Sequence, residues 1–231
     1  MGLSSAEAQA TWVVVPAFNE ARVIRDTITR LLGVGANIVV VDDCSVDGTA
    51  QELAGLPVTV LRHPVNLGQG AALQTGLDWA LSQRAKYLVT FDADGQHDPA
   101  DVARVLRALI DGRKDVVLGS RFLGSAPGMS AWRRLLLRAA LAYTRLATGL
   151  ALTDVHNDLR AFRAEVAPAI RITQDRMAHA SEILDNIARH RLAWAEAPTT
   201  VHYSAYSRSK GQGALGAVDI LFELTLGRFR R

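Results

Sequence analysis

Five short runs of apolar, strand-forming residues punctuate the first half of the chain: Trp12–Pro16, Ile38–Val41, Val58–Arg62, Tyr87–Phe91 and Asp115–Gly119. Between them apolar residues recur at helical spacing, as Val23, Ile24, Ile28, Leu31 and Leu32, then Leu73, Leu77, Ala80 and Leu81, then Val102, Val105, Leu106 and Leu109. A short continuous apolar run bounded by Gly and Pro predicts a buried strand, and a period near 3.6 predicts helices packed on the strands. Strand, helix, strand at this spacing is a βαβ unit, so the pattern predicts an α/β fold with a mostly parallel twisted sheet and helices on both faces. Pro127-Gly128 interrupts the alternation. Residues 129–150 then read as one amphipathic helix, with Trp132, Leu135, Leu136, Ala139, Tyr143 and Leu146 on a wide apolar face and Arg134, Arg138 and Arg145 on another side. Residues 193–203 alternate loosely around Pro198, which suits an edge strand, and an apolar helix over 215–226 closes the chain.

The chemistry gathers where strands end. Asp92 and Asp94 follow the fourth strand, at the carboxyl edge where open α/β sheets bind ligands. Two ionised carboxylates this close repel, and a hard divalent cation with open positions for phosphate oxygens relieves them, so Asp-x-Asp predicts a Mg²⁺ or Mn²⁺ site holding a diphosphate. Asp98 belongs to a different role, as cap of the next helix ahead of Pro99 and Asp101. The same topology brings Glu20 and Asp43 to the edge that holds Asp92. Asn66-Leu67-Gly68-Gln69-Gly70 precedes a helix, where glycines let backbone N–H groups approach an anion; it is neither a Walker A loop nor a dinucleotide fingerprint. Arg121, after the fifth strand, reaches this edge either as a partner for an acid or as a phosphate contact. Residues 153–163 form a dense polar segment, Glu182 sits alone on an otherwise apolar helix face, and Tyr206–Gly211 is a basic loop able to neutralise a departing diphosphate.

Composition narrows the class. At 231 residues the chain suits one α/β domain with a small appendage. A single cysteine, Cys44, excludes internal disulfides and thiolate metal sites and fits a reducing, cytoplasmic setting. Neither a signal peptide nor an uninterrupted apolar span is legible, which predicts a soluble or peripheral protein. The net charge of +3, from 26 basic and 23 acidic residues, is unevenly placed. Acids cluster before Asp101 and arginines after Arg133, which suits phosphates or an anionic membrane surface and argues against nucleic acid. The arginine-bearing helix predicts either a membrane interface or a face packed on the protein's own core or a second subunit.

Taken in order, Val15-Pro16-Ala17-Phe18-Asn19-Glu20, Val41–Thr49, Asn66–Ala71, Asp92-Ala93-Asp94-Gly95-Gln96-His97, Gly119-Ser120-Arg121 and Tyr206–Gln212 resemble the family-two glycosyltransferases of the GT-A fold, especially the polyprenol- or dolichol-phosphate mannose synthase-like branch. The resemblance implies a nucleotide-sugar-binding half over 11–125 and an acceptor-side half over 126–231. It implies that Pro16, Ala17, Phe18 and Glu20 line the nucleoside pocket with Gly70, that Asp43 reads the base, and that Asp92, Ala93, Asp94 and Gln96 meet ribose, metal and diphosphate. Arg121, Arg208 and Lys210 would contact phosphates, and Arg134, Asp154, Asp158 and Arg160 would lie on the acceptor side. Asp158 stands where the family usually has glycine. The implied reaction is a metal-dependent, inverting transfer of a hexose from a UDP- or GDP-sugar to a polyprenyl phosphate, at the inner face of a membrane, with a homodimer or an integral-membrane protein as further partners. A phosphate acceptor needs no general base; a saccharide hydroxyl would, and Asp158 or Asp154 would supply it. A nucleotide-sugar-binding module without turnover is the remaining alternative. A nucleotidyltransferase is disfavoured, because Pro16–Glu20 occupies the place of that class's glycine-rich basic loop.

Overall fold

The computed structural model describes residues 2–155 and 157–203. In order, the elements are α1 (Ser5–Gln9), β1 (Thr11–Ala17), α2 (Ile24–Leu32), β2 (Asn37–Asp42), α3 (Thr49–Glu52), β3 (Thr59–Arg62), α4 (Gln69–Ser82), β4 (Tyr87–Thr90), α5 (Ala100–Asp111), β5 (Val116–Ser125), α6 (Ala131–Thr148), β6 (Arg160–Arg163), α7 (His179–His190) and β7 (Trp194–Thr200). They build a seven-stranded sheet in the order β3-β2-β1-β4-β6-β5-β7.

Alternation along β1 sorts the core into two layers. Val13, Val15 and Ala17 face α2 and α5, where Ile24, Ile28, Leu31, Val102, Val105, Leu106 and Leu109 are buried. Val14 faces the other way, onto Leu73, Leu77 and Ala80 of α4 and Ile183, Leu184 and Ile187 of α7. Each fully buried Leu or Ile contributes about 1.5–3 kcal/mol relative to exposure, so this two-sided burial fixes the register of the central strands. Strands β1, β2, β3 and β4 run parallel, which puts the ends of β1, β2 and β4 on one edge of the sheet.

Strand β6 runs antiparallel between β4 and β5, pairing Thr90 with Arg160 and Leu118 with Arg160 from opposite sides. The sequence pattern does not reveal it, since charged residues bracket only two buried apolar ones, Ala161 and Phe162. Strand β7 lies on the sheet's edge with Pro198 in it, as the pattern predicts.

Helix α6 turns most of its apolar residues away from the described core. The side buried against the domain carries Leu137, Ala140 and Thr144, whereas Trp132, Leu135 and Leu146 are 64%, 58% and 88% exposed. Much of the apolar face read from the sequence thus points outward, with Leu136 and Tyr143 half-buried at its border. No helix among the described residues is long and apolar enough to cross a membrane.

Candidate active site

The acid pair sits in a tight turn after β4. Gly95 takes φ +74°, and both oxygens of Asp94 accept from Gln96, Oδ1 from its backbone N–H at 2.9 Å and Oδ2 from its side-chain amide at 2.6 Å. Among the described residues Asp94 makes no ion pair. Burial and the neighbouring charge of Asp92 push its carboxyl up from 3.8 to about 6, against the pull of the Gln96 N–H. Asp92 accepts from the Gln69 amide at 3.1 Å, and its other oxygen lies 3.4 Å from Nε2 of the buried His97. Burial would depress the His97 imidazole, but the Asp92 contact and the charges of Asp92, Asp94 and Asp158 outweigh it and hold the ring above its ordinary value. The turn is held in place from outside by the chain after β7, where His202 N–H donates to the Gln96 carbonyl at 2.8 Å.

Two hard oxygen donors with an excess of negative charge suit Mg²⁺ or Mn²⁺. Among the described residues no group of three or more His, Cys, Asp or Glu could hold a metal ion alone, so Asp92 and Asp94 would supply the protein's part of such a site. Asp98 acts locally, as expected, although one position earlier than the helix boundary: its Oδ1 accepts from Ala100 N–H at 3.0 Å, and Pro99 is the N-cap.

Asp43 does something the resemblance did not imply. Its Oδ1 accepts from Leu67 N–H at 2.9 Å and faces His63 Nδ1 at 2.7 Å, and its Oδ2 accepts from Gly68 N–H at 2.7 Å. It shapes the glycine turn. That turn, in place of an open anion cradle, carries another piece of the chain. A Cβ on Gly70 would lie 2.0 Å from the Gln174 carbonyl oxygen, one on Gly68 2.4 Å from that of Asp175, and Ala71 N–H donates to Asp175 O at 3.2 Å. Glycine is needed here for the protein's own backbone, and the N–H groups of Leu67, Gly68 and Ala71 are taken by Asp43 and Asp175. Pro16 and Ala17 end β1 in the core, Glu20 is nearly buried beside Thr49, whose hydroxyl accepts from the Glu20 N–H at 2.8 Å, and Phe18 is 43% exposed at the same edge. Ala93 is buried between the two acids.

The acceptor-side acids divide sharply. Asp154 Oδ2 accepts from the Arg121 N–H at 2.9 Å and its Nε at 2.6 Å, Asp154 Oδ1 accepts from Val155 N–H at 2.9 Å, and Arg121 also donates to the Tyr203 hydroxyl at 2.6 Å. Of the two readings of Arg121, partner for an acid is the one this geometry matches, and neither Arg121 nor Asp154 is presented to a ligand. Asp158 is different. Its Oδ1 takes Arg160 at 2.9 Å and lies 3.8 Å from His179 Nε2, and its charge is felt by His97, which links it to the acid pair. Arg160 is almost fully buried and also bonds the Asn157 carbonyl at 3.1 Å. Arg134 is exposed on α6, away from these contacts. Arg208 and Lys210 lie outside the described residues.

The structure adds Gln69, His97 and His179 to the site. Only His97 left a signal in the sequence, five residues beyond Asp92 in the same turn; the other two arrive through tertiary packing. Glu182, in the first turn of α7, finds its partners in Thr173 and Gln174.

A family model, described as glycosyl transferase family 2, matches residues 12–171. The chain belongs to that family. It is 38% identical over 220 residues to an uncharacterized protein of Methanocaldococcus jannaschii, covering 93% of this chain and 90% of the other. It is 36% identical over 179 residues to the polyprenol monophosphomannose synthase of Mycolicibacterium smegmatis, covering 71% of this chain and 66% of that one. Glucosyl-3-phosphoglycerate synthase from Mycobacterium tuberculosis, solved with Mn²⁺, UDP-glucose and phosphoglyceric acid, superimposes with a TM-score of 0.68 at 20% identity, covering 97% of this chain and 83% of that one. That likeness is one of fold, and the fold of this family-2 glycosyltransferase is GT-A.

Proposed function

We propose that this glycosyltransferase moves a hexose from a nucleoside diphosphate sugar to a polyprenyl phosphate, with a divalent cation bound and with inversion at the anomeric carbon. One observation carries the reading: Asp94, in the turn after β4, is held near 6 by burial and by Asp92, with no cationic side chain among the described residues paired to it. A site this strained toward a positive charge is built for a cation and the diphosphate that comes with it. Mg²⁺ or Mn²⁺ on Asp92 and Asp94 would supply Lewis-acid stabilisation of the departing diphosphate.

The residues of the chain do the rest. Gln96 orients Asp94, and Gln69 and His97 orient Asp92. The bond from the anomeric carbon to the diphosphate oxygen breaks with its electron pair leaving on the diphosphate, while a lone pair of the acceptor phosphate forms the new C–O bond from the opposite face. No proton has to be removed. Arg208 and Lys210 are the cations for the leaving group, a reading supported by the seat of His202 on Gln96, a few residues before them. The polyprenyl acceptor is supported by the synthase relative. A hydroxyl acceptor is the second reading, with Asp158 as its base, since Asp158 keeps some exposure beside Arg160 whereas Asp154 is fully buried on Arg121. The exposed Trp132, Leu135 and Leu146 beside Arg134 and Arg138 suit the interface of an anionic bilayer, which supports a cytoplasmic protein peripheral to the membrane.

The test is turnover of UDP- and GDP-hexoses with Mn²⁺ or Mg²⁺, with polyprenyl phosphate or a free saccharide as acceptor. Metal-dependent glycolipid formation is expected. Full activity in excess chelator, or nucleotide-sugar binding with no product, would overturn the proposal.

A further inference from the structure

We infer that Glu182 is a positioning residue for transfer: it straps residues 173–176 onto the glycine turn, and through that strap sets Gln69 against Asp92 and His179 against Asp158. The inference rests on the donor reading above. Glu182 stands in the first turn of α7, and its carboxylate accepts from Thr173 N–H at 2.9 Å, the Thr173 hydroxyl at 2.5 Å and Gln174 N–H at 3.0 Å. These bonds turn the carbonyls of Gln174 and Asp175 onto the start of α4, where Gly68 and Gly70 leave room for them and Ala71 N–H is the donor. Ile172 N–H adds a tie to the Gln74 side chain at 2.8 Å.

The strap has two ends that matter. On the donor side the turn it presses on begins α4 with Gln69, whose amide holds Asp92. On the acceptor side the Arg176 carbonyl lies 2.7 Å from His179 Nδ1. A carbonyl only accepts, so the proton of that ring nitrogen is assigned to Nδ1. Nε2, buried and with no hydrogen-bond partner, then faces Asp158 Oδ1 at 3.8 Å. A line of contacts therefore joins the Glu182 carboxylate to Asp92 on one side and brings His179 to 3.8 Å from Asp158 on the other. Residues 173–177 are all exposed, so hydrogen bonds hold them in place of apolar burial, and losing the Glu182 bonds releases the strap.

Steady-state kinetics and amide hydrogen exchange on the full chain test this together. Misplacement of a substrate-facing group by about 1 Å costs on the order of 100-fold, so Glu182→Ala should lower kcat/KM by about 10- to 100-fold, and Glu182→Gln, which keeps an acceptor oxygen in place, should recover most of it. The Ala71 amide should exchange at least about tenfold faster in Glu182→Ala while the amides of β1 and β4 keep their protection. Because both residues act through one contact line, adding Gln69→Ala to Glu182→Ala should cost less than the product of the two single effects. Wild-type kinetics in Glu182→Ala, an Ala71 amide still protected, or multiplying effects in the double variant would each overturn the inference. If Glu182→Ala does not fold, Thr173→Val removes one of the three bonds and should move the same readouts in the same direction. A wild-type protein that turns over no nucleotide sugar would refute the donor reading, while the exchange result would still decide the strap.

Discussion

A single acid, Asp154, and an acid pair, Asp92 and Asp94, stand in turns beside the same sheet and meet opposite fates. Asp154 is enclosed by Arg121, whose backbone and guanidinium both bind it, with Tyr203 completing the set. Asp92 and Asp94 share one turn with amide donors and one histidine for company, and burial together with the charge of Asp92 raises Asp94 to about 6 against the pull of those neighbours. The first arrangement is complete without any ligand. The second has charge left to offset, and under the proposed function that difference separates an acid that supports the fold from one that works on a substrate.

The contrast can be broken by substitution. Asp94→Ala should lower metal-dependent donor hydrolysis and transfer by about 1,000-fold or more, since it deletes a ligand of the cation proposed to stabilise the departing diphosphate, while leaving thermal stability unchanged or raised. Arg121→Met should do the reverse: removing one partner of a buried pair strands the Asp154 charge and costs about 3–5 kcal/mol of stability, read by denaturant unfolding. Equal loss of stability in both variants would erase the distinction.

Titration sharpens it. The native state holds the Asp94 proton to about pH 6 whereas an unfolded carboxyl loses it near 3.8, so between those values the folded chain binds more protons and the metal-free protein becomes less stable as pH rises. For the same reason Mn²⁺ affinity should fall up to about tenfold per pH unit below 6, as protons compete for the carboxylate; calorimetry over pH 4.5–7 measures both. His97 acts in a higher window: its raised value contributes stability that is present below about 6.5, the ordinary imidazole value, and lost as pH climbs through the folded value. The smallest effect belongs to a pair remote from either acid set. Arg171 and Asp78, 3.8 Å apart and both half exposed or more, should contribute under about 0.5 kcal/mol when Arg171 is changed to Ala.

What could be read from the sequence follows the range of the interactions involved. Strands β1, β2 and β4 announce themselves because burial on both faces demands continuous apolar runs, and the Asp92–Asp94 pair announces itself by its place after one of them. Strand β6 is silent because its neighbours, not its composition, make it a strand. Helix α1 was missed although Ser4 and Glu7 form a capping box, a local signal that was there to use. Gln69, His179 and the role of Glu182 depend on a segment about 100 residues away in the chain settling on the glycine turn, and no local pattern encodes that meeting. The outward face of α6 was identified by its residues but not by its direction, since an amphipathic stripe does not state which side the rest of the protein occupies.

The insertion of β6 has a consequence for how the chain is made. Until Arg160–Arg163 leaves the ribosome, β4 has an open side and β5 cannot reach the sheet, so the nascent protein carries unsatisfied backbone next to its own acid turn. A truncated product ending near residue 125 would present those raw flanks to other copies of itself and should accumulate as aggregate.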